Sequence, residues 1–150
     1  MKALLFLPLL LIAIAGSTQP PDSIPLRDLK RGRYVQDSSF IYSLPYTKGK
    51  SYLLIQAYQS QHSHKGEFAL DFKMKEGTPV CAARSGVVVS MREDSDNGGL
   101  KPEMLSEGNY IIIEHDDGSQ AHYWHLQKDG SLVNVGDTIL QGQEIGRSGN

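Results

Sequence analysis

The stretch Tyr110-Ile111-Ile112-Ile113-Glu114-His115-Asp116-Asp117-Gly118-Ser119-Gln120-Ala121-His122-Tyr123-Trp124-His125-Leu126 decides the fold. Two runs rich in aromatic and β-branched residues flank a polar centre, and Asp-Gly suits the positive backbone angles of a tight hairpin turn. Residues 110–115 and 120–126 are therefore expected to pair as antiparallel strands. A period of two then places Tyr123 and His125 on one face, with His122 and Trp124 on the other.

The same grammar extends outward. Short apolar runs at Tyr52-Leu53-Leu54-Ile55, Phe68-Ala69-Leu70-Asp71-Phe72, Val80-Cys81-Ala82-Ala83, Val87-Val88-Val89, Ile139-Leu140 and Glu144-Ile145 are separated by Gly, Asp, Pro and Asn. That spacing implies an all-β domain. Residues 92–108 are polar, acidic and glycine-bearing, a long excursion able to rim a cleft. Asp94-Ser95-Asp96-Asn97-Gly98 resembles the start of a calcium loop, but Leu105 stands where that loop needs its bidentate glutamate, so calcium is rejected there.

At the N-terminus, Lys2 precedes an apolar run from Ala3 to Ala15 that ends in the small residues Gly16 and Ser17. This is the pattern of a signal peptide, and residues 1–17 are assigned to one; a spanning helix needs roughly 20 apolar residues. Export to the periplasm or the cell exterior follows, with no stable membrane insertion after cleavage. Residues 18–50 read as a Pro-rich linker and a strand-rich extension. The 150 residues allow one domain, and a net charge of -2 offers no basic footprint for nucleic acid. The lone Cys81 leaves no internal disulfide; in its apolar setting it reads as a small buried hydrophobe rather than a nucleophile.

Five histidines lie at 62, 64, 115, 122 and 125. Neutral imidazole and carboxylate are the usual ligands of a hydrolytic zinc, which takes three protein ligands and keeps a position for water. His62 and His64 point to the same side of an extended segment, and either can reach a shared metal with Asp71. Asp71 stands between Leu70 and Phe72 in a segment that reads as core, where a carboxylate is costly unless paired or bound to a cation. A salt bridge and a metal both satisfy that condition.

Ordered blocks between His64 and Asn150 go further, among them His64-Lys65-Gly66, Ala69-Leu70-Asp71-Phe72, Gly77-Thr78-Pro79-Val80, Tyr123-Trp124-His125-Leu126 and Gly142-Gln143-Glu144-Ile145-Gly146-Arg147-Ser148-Gly149-Asn150. With these the chain resembles the lysostaphin-type (LytM-type) zinc endopeptidases, which cut peptide cross-links in bacterial peptidoglycan. The resemblance implies antiparallel sheets in a sandwich or half-barrel-like core with long connecting loops, over residues 51–150. It implies that His64 and Asp71 are ligands of one zinc ion, that His125 is a catalytic histidine outside the ligand set, and that peptidoglycan peptide is the substrate partner. His62 is then a neighbour, and His115 and His122 have no role in the site. Relatives continue past the Ser-Gly-Asn block into a strand bearing His-x-His, which supplies the third ligand; the expectation is a fragment lacking that strand. An inactive domain of the same fold, binding peptidoglycan or regulating another cell-wall hydrolase, is the alternative. Oligomeric state has no signal in the sequence.

Overall fold

A computed structural model describes residues 31–33, 40–58, 60, 64, 68–96 and 107–149. The expected signal peptide, His62 and much of the acidic excursion lie outside the described residues. Ser39–Asn150 form one compact unit. Its elements are β1 (Leu53–Gln56), β2 (Asp71–Lys73), β3 (Pro79–Cys81), β4 (Gly86–Arg92), β5 (Asn109–Glu114), β6 (Gln120–Ser131), β7 (Thr138–Ile139) and β8 (Glu144–Ser148), with no helix among the described residues. β1 and β2 make a two-stranded ribbon, and the other six form one sheet in the order β3-β8-β6-β5-β4-β7. Every pairing is antiparallel, and the larger sheet curls into a half-barrel. The all-β, half-barrel-like expectation holds.

The hairpin anticipated from residues 110–126 is the centre of this sheet. β5 and β6 pair from Glu114↔Gln120 through Tyr110↔Trp124, and Gly118 closes the turn with φ +80°. Along β5, Asn109, Ile111 and Ile113 are buried while Tyr110, Ile112 and Glu114 are not. This is the period of two that one buried face dictates. Ile111, Ile113, Ile139 and Ile145 are fully buried, joined by Val80, Ala82, Val88, Tyr123, Leu126 and Val133. Each such isoleucine contributes roughly 1.5–3 kcal/mol by leaving water, so the core rests on β5, β7 and β8 together.

The segment before β1 is fastened to this sheet. Ser43 N–H donates to Ala83 O at 2.8 Å, and Pro45 O accepts from Cys81 N–H at 3.1 Å. The Arg84 guanidinium lies 4.2 Å from the Phe40 ring centre and pairs with Asp116 and Asp117 of the hairpin turn. Tyr46 then stands edge-on to both Tyr52, at 4.9 Å, and Phe72 of β2, at 5.5 Å. That aromatic trio links the β1-β2 ribbon to residues already tied to the sheet, and Asp71 begins β2.

Two local expectations need correction. The segment around Asp71 is not core: Phe68 is 80% exposed, Leu70 is 37% exposed, and the Asp71 side chain is 36% exposed. Phe68, Ala69 and Leu70 precede β2, so only Asp71 and Phe72 of the expected strand are strand, and the residues before them are not carried into a buried sheet face. Nor do Tyr123 and His125 share a face, since Tyr123 is buried and His125 exposed. The β5-β6 register runs from Tyr110↔Trp124 directly to Asn109↔Leu126, so His125 is the extra residue of a β-bulge, at φ +58°. Cys81 meets its expectation. It is 4% exposed, and burial pushes its thiol up, which leaves it protonated and unreactive at neutral pH.

Candidate metal centre

The site begins with a second bulge. β1 pairs with β2 through Leu54↔Phe72 and then Gln56↔Asp71, so Ile55 is passed over. The skipped residue brings Gln56 directly opposite Asp71, where paired side chains stand on the same face. Gln56 Nε2 donates to Asp71 Oδ2 at 2.8 Å, and its own Oε1 accepts from Ser60 Oγ at 2.6 Å.

His64 is 7% exposed, and its Nδ1 lies 3.3 Å from the carbonyl oxygen of Ala57. A carbonyl only accepts, so Nδ1 carries the proton and the second ring nitrogen points elsewhere. That nitrogen, Nε2, is 3.2 Å from Asp71 Oδ1. Each residue thus has one polar atom tied to the end of β1 and the turn after it, and the remaining atoms face each other. Two ligands about 2.0–2.2 Å from one tetrahedral zinc stand roughly 3.3–3.6 Å apart, and both donor types are ones zinc accepts. The pair fits a shared divalent cation. It equally fits an ion pair when Nε2 is protonated.

His125 is held differently. Its carbonyl accepts the Gly149 N–H at 2.7 Å, and its side chain borders a shallow pocket of about 200 Å³ with Glu76, Ser95, Asn109 and Gln127. Among the described residues no hydrogen bond or ion pair joins its ring to His64 or Asp71, and no group of three His, Cys, Asp or Glu side chains gathers to hold a metal. His115 is buried against Ser85 O at 2.8 Å and the edge of Tyr42, while His122 is exposed beside Gln120. Tyr123 is tied in by the Ala83 N–H at 2.8 Å, and burial pushes its phenol up to about 12, so it remains protonated and structural.

Residues 62–150 match the sequence profile of Peptidase family M23. This chain belongs to that family. It is 39% identical over 80 residues to the peptidoglycan DD-endopeptidase ShyA of Vibrio cholerae, a match covering 53% of this chain and 16% of ShyA. It is 38% identical over 84 residues to lysostaphin of Staphylococcus simulans, covering 55% of this chain and 15% of lysostaphin. The crystal structure of a zinc containing peptidase from Vibrio cholerae superimposes with a TM-score of 0.53 at 25% identity, over 73% of this chain and 32% of that one. The matched part of the chain therefore spans about a sixth of the length of these two curated relatives.

The M23 match begins at residue 62, and two residues that support the site precede it. Gln56 and Ser60 carry no signal in the sequence: a glutamine closing an apolar run and a serine after it are ordinary strand-end residues. Only the bulge at Ile55, which moves Gln56 opposite Asp71, gives them their place.

Proposed function

We propose that residues 51–150 form a zinc-dependent endopeptidase domain that cleaves peptide bonds in bacterial cell-wall peptidoglycan, acting outside the cytoplasm after export. The observation that carries this reading is the 3.2 Å approach of His64 Nε2 to Asp71 Oδ1, with the other polar atom of each side chain already engaged. Membership of the M23 family supports it, as does the likeness to a DD-endopeptidase.

In this reading His64 and Asp71 hold the zinc. When bound, a zinc ion lowers the pKa of its water to about 7 and polarises the carbonyl under attack. The protein's part would be to fix the two ligands, and His125 would exchange a proton with the attacking water or donate to charge forming on the scissile carbonyl oxygen. The left-handed backbone at His125 supports a functional assignment, because a non-glycine residue held there costs about 1–2 kcal/mol and strain of this kind concentrates at working sites.

A second reading has one observation in its favour: among the described residues the pair gains no third ligand. It makes the domain a non-catalytic binder of peptidoglycan. Incubation of the zinc-supplied protein, expressed together with the strand expected to carry the third ligand, with isolated peptidoglycan sacculi separates the two. Release of new peptide termini, detected by mass spectrometry and abolished by EDTA or by Asp71→Ala, is the expected result. Sedimentation with sacculi without any cleavage, unaffected by EDTA, favours the binder and contradicts the enzyme.

A further inference from the structure

Asp71 has two carboxylate oxygens, and a metal ligand works best when the one that binds is fixed by what holds the other. Gln56 Nε2 holds Oδ2 at 2.8 Å, while Oδ1 faces His64. A carboxylate accepts and never donates when ionised, so the amide must turn its NH2 toward Asp71 and its oxygen away. That oxygen meets Ser60 Oγ at 2.6 Å, which must then donate. The polarity runs one way, from the Ser60 hydroxyl through the Gln56 amide to Asp71. The turn that carries this relay is closed by Ser60 N–H donating to Ala57 O at 3.3 Å, and the same carbonyl is the partner of His64 Nδ1. Gln56, Ala57 and Ser60, at the end of β1 and just after it, therefore orient both side chains of the pair.

We infer that Gln56 is a positioning residue for the metal site, holding Asp71 by Oδ2 so that Oδ1 alone is presented to the cation, with Ser60 fixing the direction of the amide. This rests on the metal reading above. The choice of glutamine has a chemical reason. A lysine or arginine in its place would hold the carboxylate equally well but neutralise it, competing with the cation for the same charge. A neutral amide orients the ligand and leaves its negative charge available.

The test is zinc affinity by chelator competition on the purified chain, with cobalt(II) absorption as a report of coordination, compared for wild type, Gln56→Leu, Ser60→Ala, Ser60→Thr and Asp71→Ala. Circular dichroism and the unfolding midpoint of each metal-free protein are recorded alongside. With wild-type folding, Gln56→Leu is expected to bind zinc at least about tenfold more weakly and to shift the cobalt band. Ser60→Ala should weaken binding by a smaller factor, and Ser60→Thr, which keeps the hydroxyl, should restore it. Wild-type affinity and an unshifted band in Gln56→Leu overturn the inference while leaving the metal site intact. Should Gln56→Leu fail to fold, equal affinities for Ser60→Ala and Ser60→Thr overturn it instead. Absence of zinc binding by wild type, or equal binding by Asp71→Ala, overturns the metal reading and the inference with it.

Discussion

The ring of His64 and the carboxylate of Asp71 are each half engaged, and this sets the chemistry of the site. A histidine whose Nδ1–H is given to a backbone carbonyl offers Nε2 as a lone pair, and an aspartate with one oxygen held offers the other. Imidazole and carboxylate in a strand-rich setting drew attention to these residues in the sequence, but the choice of His64 over His62 came from the family resemblance. Gln56 was not legible there, since its role depends on a bulge one residue earlier in its strand. His125 was singled out by the resemblance alone, and the unbroken alternation assumed for its strand misjudged the face it lies on. For a domain with turnover, His125→Ala is expected to keep its zinc, measured by metal analysis, and to lose about 10²–10⁴-fold in kcat. Loss of zinc would contradict its assignment outside the ligand set, and unchanged turnover would contradict its catalytic role.

At the level of elements, the β5-β6 hairpin followed from local rules because alternation, Asp-Gly and a polar centre all pointed to one structure. Two bulges were invisible to the same rules, which assume an unbroken pleat. One turns His125 away from the face of Tyr123, and the other sets Gln56 against Asp71. The strand signal at Phe68-Ala69-Leu70-Asp71-Phe72 held only from Asp71 onward and was wrong as to burial, since Phe68 and Leu70 precede β2 and are exposed. β4 carries a sharper constraint. A Cβ at Gly86 would stand 2.2 Å from Glu114 O and 2.8 Å from the Ile113 side chain, inside the β4-β5 pairing. Gly86→Ala is expected to destabilise the domain by about 1–3 kcal/mol in urea unfolding, as overpacking does. A change below about 0.5 kcal/mol would show that these strands are not packed as described.

Across the molecule, the segment from Phe40 to Tyr46 and the hairpin turn are joined through Arg84. Its guanidinium reaches Asp116 and Asp117 and covers the Phe40 ring. Asp117 also accepts from the Ser119 hydroxyl and backbone N–H; with Arg84 these bonds hold its carboxyl well below the usual carboxylate range. A carboxyl depressed in the folded state adds stability that is complete above its unfolded value, near 3.9, and fades as pH falls below it. The unfolding midpoint should therefore drop below about pH 4, and Asp117→Asn should drop less steeply over that interval. Parallel curves for the two proteins would remove Asp117 from the account.

The central claim is that His64 and Asp71 share one divalent cation, and zinc-edge anomalous diffraction from crystals supplied with zinc tests it most directly. A single strong peak about 2.0–2.2 Å from both His64 Nε2 and Asp71 Oδ1 is expected. A peak bound elsewhere, or none while the two side chains remain in contact as an ion pair, would contradict it.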